Sequence, residues 1–309
     1  MKNAFCSIPI LIFALSACEL VIDPDLPEHT PRLVVKAFFT PDSRWIVSVG
    51  RSIGILESLP GGESLVADAT VALLSGDRVI DQLAFLQRQR VYVSETPLQA
   101  GESYTLRVSA PGFETVRATD TIPGPVPTSI VSHRIETSDL MSDLLDLAPG
   151  ELVVSDFSIR LRIQDPPGEK NHYQIRMIAD LAWSGERDLY FSTRDPSIIA
   201  DNTIEDPVIG MEAFSGTAPF FKDVLFDGQT HEIELSSDGT VVLASRERLL
   251  RVQVLYVSET YYKHLRSALL HEHTQENPFA EPVNIYSNVE NGYGVFAGYS
   301  SQTFELAVE

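Results

Sequence analysis

The feature that most constrains the fold is a succession of short β-type runs that begins near Arg32. β-branched and aromatic residues alternate with polar residues in each run, which is typical of half-buried strands. Turn clusters such as Thr40-Pro41-Asp42-Ser43 and Gly76-Asp77 separate the runs. Short strands with turn signals every 8–12 residues or so are typical of a β-sandwich. The runs cover residues 33–39, 45–49, 69–75, 79–85, 91–94, 103–110 and 114–119.

These runs predict an immunoglobulin-like β-sandwich over residues 31–121. Residues 122–127 read Ile-Pro-Gly-Pro-Val-Pro, a pattern that excludes a helix or a central strand and predicts a semi-rigid linker. Residues 128–309 then form a second, larger β-sandwich-like domain in this prediction. Its strands are expected at residues 153–164, 172–183, 189–192, 231–235, 240–244, 249–257, 283–286, 293–298 and 303–308.

Two segments of the second domain carry the spacing of amphipathic helices. Residues 138–148 predict a short helix that ends at Pro149-Gly150. Residues 259–273 predict a longer helix, with Ser258 as its cap. Its buried stripe would contain Tyr261, Leu265, Ala268 and Leu269. The fold class is therefore mainly β, with one or two short helices.

The N-terminus has the pattern of an export signal. An apolar run of about 13 residues follows Lys2, too short for a helix that spans a bilayer, which needs roughly 20. The run ends in a sequence that resembles a bacterial lipobox. We expect residues 1–17 to be a lipoprotein signal peptide, Cys18 to carry acyl and diacylglyceryl lipid, and residues 18–30 to be an acidic, proline-containing tether. The lipobox residues are Leu15, Ser16, Ala17 and Cys18.

Cysteine content and charge exclude several classes of protein. The only cysteines are Cys6 and Cys18, so the body of the chain holds no disulfide, zinc-thiolate site or cysteine nucleophile. The unpaired Cys18 favours lipid attachment, with an ordinary secreted protein as the alternative. The formal net charge of -20 argues against a nucleic-acid partner. No cofactor besides the covalent lipid is expected.

One serine motif is a candidate catalytic site, and one histidine cluster is a candidate metal site. Residues 50–54 read G-x-S-x-G around Ser52, but Pro60-Gly61-Gly62 leaves no room for the helix that a nucleophile elbow needs. A strand end and loop is the favoured interpretation. His271 and His273 lie two apart, and His264 and His271 seven apart, spacings at which helical residues do not share one ion. A polar helix end is favoured there.

Acidic residues in loops offer a weaker hypothesis. Asp195, Asp201, Glu205, Asp206 and Asp227 could ligate a structural cation, although the calcium loop pattern is absent and solvated turns are favoured. Paired carboxylates for a glycoside hydrolase are also open, but no sequence feature selects two of them.

A glycine- and aromatic-rich segment lies near the C-terminus. Residues 292–299 read Gly-Tyr-Gly-Val-Phe-Ala-Gly-Tyr, with no following helix that could hold a phosphate. A strand closely approached by another backbone is the favoured interpretation. Tyr293 and Tyr299 are either core residues or exposed side chains that stack on a ligand, and core packing is favoured.

Four stretches of the chain carry a family resemblance. Residues 15–27, 33–39, 261–267 and above all 277–300 resemble envelope lipoproteins that carry domain of unknown function 4249. The resemblance covers nearly the whole mature chain. It implies an accessory lipoprotein found beside a TonB-dependent outer-membrane transporter, and it supplies no catalytic residue.

The expected function is accordingly a lipid-anchored outer-membrane accessory role, facing the periplasm or the cell surface. The partner would be a TonB-dependent transporter, an unidentified ligand, or both. Two alternatives stay open: a surface hydrolase that uses paired carboxylates, and a structural or adhesive envelope protein.

Overall fold

The computed structural model of the protein describes residues 29–54, 57, 64–138, 153–181, 185–203, 213–237, 241–243, 249–275 and 281–308. These residues form a mainly β fold, as the sequence predicts. No helix among them is long and apolar enough to cross a membrane. Nineteen strands are present in this part of the chain: β1 Leu33–Phe39, β2 Trp45–Arg51, β3 Thr70–Ser75, β4 Arg78–Gln82, β5 Ala84–Leu86, β6 Val91–Ser94, β7 Ser103–Ser109, β8 Val116–Thr121, β9 Thr128–Ser138, β10 Val153–Gln164, β11 His172–Leu181, β12 Gly185–Asp188, β13 Phe191–Thr193, β14 Phe214–Gly216, β15 Phe220–Lys222, β16 Thr230–Ser236, β17 Val241–Leu243, β18 Leu249–Val257 and β19 Tyr293–Ala307.

Two helices accompany the strands in the described residues. Helix α1 spans Pro196–Asn202 and helix α2 spans Glu259–Gln275. The sequence predicts α2 with its cap, and the hydroxyl of Ser258 accepts the backbone N–H of Tyr261 at 3.1 Å. A 3-10 turn at Asp223–Leu225 is the remaining helical element among these residues.

The first core lies between two sheets. Strands β1, β2, β6 and β5 belong to a long sheet and face a four-stranded sheet in the order β4-β3-β7-β8. Alternate residues of β1 point inward, as the period of two requires. Phe39 stacks on Phe296 with ring centroids 4.0 Å apart, so the last strand of the chain contributes to the core nearest the N-terminus.

The second core repeats this layering. Strands β11, β18 and β19 continue the long sheet and face a sheet built around β10, β13 and β16. Ile159, Leu161 and Ile163 of β10 are fully buried, as predicted from their alternation with polar neighbours. Full burial of each such side chain contributes about 1.5–3 kcal/mol relative to exposure.

Strand β19 joins the two halves. Its first residues pair in parallel with β1, and its later residues pair antiparallel with β18. The sequence predicts two strands here, split at the polar residues 299–302. The structure has one continuous strand, because Ser300 is buried and donates its hydroxyl to the carbonyl of Pro123 at 2.8 Å. A satisfied polar side chain does not interrupt a strand.

Residues 122–127 are irregular, as predicted, and they pack against both cores. Ile122 is fully buried in the first core and Val126 is buried in the second. The backbone N–H of Gly101 binds the carbonyl of Ile122 at 2.7 Å. The segment is thus fixed at both ends, and the domain boundaries themselves remain a prediction.

Several local predictions differ from the structure, among them residues 79–85, which form two strands of different sheets, β4 and β5, instead of one. Ser138, expected to begin a helix, ends strand β9 instead, and residues 139–148 of that predicted helix lie outside the described residues. Residues 283–286, predicted as a strand, are irregular because they run along α2 instead of along a sheet. Helix α1 was missed; Asp195 caps it by accepting the backbone N–H of Ser197, with proline at its first position.

Candidate functional site

Helix α2 holds an irregular segment, residues 281–290, which we call the strap. The Nδ1 atom of His264 donates to the carbonyl of Tyr286 at 2.8 Å, and that of His271 donates to the carbonyl of Val283 at 2.6 Å. The hydroxyl of Ser267 accepts the N–H of Tyr286 at 2.7 Å. Positions three, four and seven apart share one side of a helix. His264, Ser267 and His271 therefore form one stripe of α2 that hydrogen-bonds to the strap.

The two histidines of this stripe contact the backbone of the strap. His264 and His271 do share one face of α2, as their spacing of seven predicts, but each uses its Nδ1 on a backbone carbonyl. His273 is exposed. The polar-helix-end interpretation missed the strap, because nothing in the sequence indicates which carbonyls a histidine will meet.

A groove of about 800 Å³ lies between the strap, α2 and the first residues of β1 and β19. This volume is in the range of small-molecule sites, about 300–1,000 Å³. The lining is predominantly apolar. Its side chains include Val34, Ile285, Tyr286, Val289, Tyr293 and Val295, with Lys36 and His264 as the titratable members.

Two glycines let β19 pass close enough to β1 to form the base of the groove. Gly294 has φ +109°, and a Cβ there would lie 1.9 Å from the carbonyl oxygen of Val35. A Cβ on Gly292 would lie 2.6 Å from the carbonyl oxygen of Leu33. The close approach predicted for the glycine-rich segment is confirmed. It accounts for the glycines without any role in phosphate binding.

The two tyrosines of this segment have different surroundings. Tyr293 is 47% exposed at the edge of the groove, and the guanidinium of Arg32 lies 5.8 Å from its ring centroid. Tyr299 packs against Tyr261 with centroids 6.0 Å apart, as core packing predicts. Tyr293 is therefore not a core residue, and the core packing that the sequence favours holds for Tyr299.

Burial shapes the electrostatics of the groove. It lowers the pKa of His264, and the positive charge of Lys36 lowers that pKa further, against the effect of the hydrogen bond to Tyr286. His264 is accordingly neutral at pH 7, with its proton on Nδ1. Lys36 is exposed, and its Nζ lies 5.8 Å from the ring centroid of Phe38.

A second cavity, of about 420 Å³, lies where the two halves meet, beside residues 122–127 and the start of α2. One oxygen of Asp120 accepts the hydroxyl of Ser258 at 2.5 Å and the N–H of Gly298 at 2.8 Å. Burial raises the pKa of this carboxyl. Glu259 pairs with Lys263 at 3.0 Å, and that hydrogen bond lowers the pKa of Glu259. Of the three carboxylates that line this cavity, Asp120 and Glu259 make these contacts, and Glu169 is exposed.

Ser52 of the G-x-S-x-G motif lies directly after β2, in a loop, as predicted. Residues 52–54 are irregular, and no helix follows them in the described part of the chain. Its hydroxyl lies 3.0 Å from Nε2 of His29 and accepts the backbone N–H of Arg32 at 2.9 Å. Glu57 binds Arg51 and Gly54, so no described acid completes a triad. These contacts tie the segment that leads into β1 to the residue that follows β2.

The loop acids have several outcomes. Asp195 and Asp201 are buried, so the expectation of solvated turns is wrong for them. Asp195 lies 2.8 Å from Nε2 of His231; burial alone would raise the pKa of Asp195, but its contacts with His231 and Ser197 lower it. Asp201 accepts the N–H of Lys222 at 3.0 Å. Glu205 and Asp206 lie outside the described residues.

Asp227 lies in a cluster with Asp165 and Asp223, whose carboxylate oxygens are all within 4.8 Å of one another. This arrangement could hold a cation. Each carboxylate already accepts a backbone N–H, at 2.7–2.9 Å. Burial, with the two neighbouring charges, raises the pKa of Asp223. The cluster joins loops distant in sequence, which is why Asp165 and Asp223 could not be selected from the sequence.

The lipobox, Leu15 to Cys18, lies outside the described residues, and the lipid anchor stays a prediction. The fold and the groove define a mainly β protein with two sandwich cores, a third hydrophobic cluster beneath α2, and a groove of small-molecule size. The chain belongs to the DUF4249 family, a domain of unknown function, whose sequence profile matches residues 20–305. A search of curated proteins finds no match.

Proposed function

We propose that this protein is a lipid-anchored, non-catalytic accessory protein of the outer membrane that binds a ligand in the groove, beside a TonB-dependent transporter. The groove is the observation that carries the proposal. It has the volume and apolar lining of a ligand site, and an aromatic side chain, Tyr293, lies exposed at its edge.

The position of the groove fits an anchor at Cys18. Val34, which lines the groove, stands 16 positions after Cys18. A fully extended chain of that length spans about 55 Å. A groove on such a tether stays close enough to the membrane to exchange a ligand with a transporter embedded in it.

The state of the carboxylates favours binding over the hydrolase alternative. Asp120 accepts two hydrogen bonds and Glu259 is paired with Lys263. A glycoside hydrolase needs one protonated acid and one free carboxylate facing a common bond. Of the three carboxylates that line the second cavity, Asp120 and Glu259 are committed to structural contacts, and the exposed Glu169 by itself does not make such a pair.

Metabolic labelling with palmitate tests the anchor. Wild-type protein is expected to carry label, Cys18→Ala to carry none, and the matched control Cys6→Ala to carry label at the wild-type level, since Cys6 leaves with the signal peptide. Unchanged labelling of Cys18→Ala would exclude the anchor.

Site-specific photo-crosslinking in cells tests the partner. A crosslinker placed at Tyr293 is expected to capture a TonB-dependent transporter, identified by mass spectrometry. The control position is Tyr190, 70% exposed and outside the groove lining. Capture of the transporter equally from both positions, or from neither, contradicts the proposed arrangement.

A further inference from the structure

The charge of the groove is opposite to that of the chain. The protein has 43 acidic residues against 23 lysines and arginines. Among the described residues, no carboxylate lines the groove, while Lys36 and His264 do. Two cationic side chains lie over its aromatic residues, Arg32 over Tyr293 at 5.8 Å and Lys263 over Tyr286 at 5.7 Å.

Lys36 is the cation free to meet a ligand. It points from the outer face of β1 and is exposed, and no described residue forms an ion pair with it. Lys263, by contrast, is neutralised by Glu259 at 3.0 Å. The ammonium group of Lys36 is therefore a point charge at the edge of an otherwise apolar surface.

His264 supplies a second polar atom. Its Nδ1 is used by the carbonyl of Tyr286, and the described residues offer its Nε2 no hydrogen-bond partner. Both His264 and Lys36 line the groove. When protonated, Nε2 becomes a donor that an anion can accept from.

We propose that the groove binds a single-chain amphipathic carboxylate, a fatty acid, with the carboxylate at Lys36 and His264 and the alkyl chain along the apolar lining. The inference rests on the ligand-binding part of the proposed function. One lysine matches a single negative charge, and the imidazole adds a donor to it when Nε2 takes up a proton. The side chains of Val34, Ile285 and Tyr293 provide the apolar contact.

Calorimetry tests the ligand class. The protein is the mature chain, residues 18–309, with Cys18→Ser so that no acyl group is attached. Dodecanoate below its micelle concentration at pH 7 is expected to bind one saturable site. Dodecanol, which lacks the charge, is expected to bind about tenfold more weakly, the loss of one charge-assisted contact. Dodecyltrimethylammonium is expected not to bind.

Two outcomes overturn the assignment. Equal binding of dodecanoate and dodecanol shows a groove that is only apolar, and absent saturable binding of dodecanoate excludes a fatty acid. Palmitate labelling and crosslinking from Tyr293 do not depend on either result, so a failure here is distinguishable from a failure of the proposed anchor or partner.

A pair of charge variants locates the bound carboxylate. Lys36→Gln is expected to weaken dodecanoate binding about tenfold and to leave dodecanol unchanged. The matched control Lys170→Gln removes an exposed lysine outside the groove and is expected to change neither. Because Lys36 is exposed, circular dichroism should confirm that the variant folds. Wild-type dodecanoate affinity in Lys36→Gln overturns the assignment.

Discussion

His264 donates a hydrogen bond from its Nδ1 to the backbone carbonyl of Tyr286 over 2.8 Å. The same imidazole lines the groove that the strap closes. The His264 side chain thus holds the strap in place through Nδ1, and its ring also lines the groove. The hydrogen bond also sets the tautomer of the neutral ring, because a carbonyl oxygen only accepts.

Removal of the His271 side chain, which also hydrogen-bonds to the strap, should make the strap more mobile. In His271→Ala the carbonyl of Val283 loses its donor, and the protein is expected to lose about 1–2 kcal/mol of stability. Hydrogen exchange measured by mass spectrometry should rise in residues 281–290. His273→Ala, an exposed residue two positions away, is the control and should exchange like wild type. Unchanged exchange in His271→Ala would show that this hydrogen bond is unimportant.

Fatty-acid binding should tighten as the pH falls. The pKa of His264 in the free protein is lowered below 6.5 by burial, helped by Lys36 from β1 and opposed by the strap carbonyl of Tyr286. A bound carboxylate favours the imidazolium, so binding takes up a proton between the free and bound pKa values. The gain is at most about tenfold per pH unit. Dodecanoate affinity measured from pH 8 to pH 6 checks this, and His264→Gln should flatten the profile.

Gly294 should tolerate no side chain. Its φ is +109°, and a Cβ would meet the Val35 carbonyl at 1.9 Å, so Gly294→Ala must separate β1 from β19. We expect a loss of more than about 4 kcal/mol or failure to fold. Gly124→Ala is the control, since nothing lies within 4 Å of its added Cβ. Chemical denaturation of both variants is the measurement; equal stability would contradict the close approach.

Asp120 should stabilise the fold through its acceptor oxygen and not through its charge. Burial raises its folded pKa above 3.8, so the folded state holds the proton more tightly than the unfolded state. Stability from this group is present below pH 3.8 and is lost as the pH rises through the folded pKa. Asp120→Asn should therefore match or exceed wild type at pH 7.

The alanine variant supplies the contrast. Asp120→Ala leaves the hydroxyl of Ser258 and the N–H of Gly298 without their acceptor, at a cost of about 1–3 kcal/mol for each buried group. Urea denaturation of both variants from pH 4 to pH 7 separates the two effects. A stability of Asp120→Asn as low as that of Asp120→Ala at pH 7 would mean that the charge itself is required.

Most strands could be predicted because their alternation is local. Strand β1 has the predicted bounds, and β10 and β18 do as well. Strand β9 was missed: its polar residues Ser132, His133 and Arg134 face solvent, so the apolar half of the alternation is sparse. Residues 283–286 were misassigned, since their β-type composition serves contacts with a helix instead of a sheet.

The groove could not be predicted from the sequence, for a different reason. Val34, His264 and Tyr293 come from two strands and a helix, and only the parallel pairing of β1 with β19 brings them together. The histidine stripe and the glycine-rich segment were both visible as patterns. What each pattern contacts depends on tertiary packing, which a period along the chain does not encode.

The pairing of β1 with β19 also dictates when the protein can fold. Val34 and its partner Tyr293 stand about 260 residues apart along the chain, a separation that makes the contact slow to form. The first core lacks Phe296 until that residue has been synthesised. A chain with this topology cannot complete its N-terminal core from its N-terminal strands alone, and an early truncation within β19 leaves that core open.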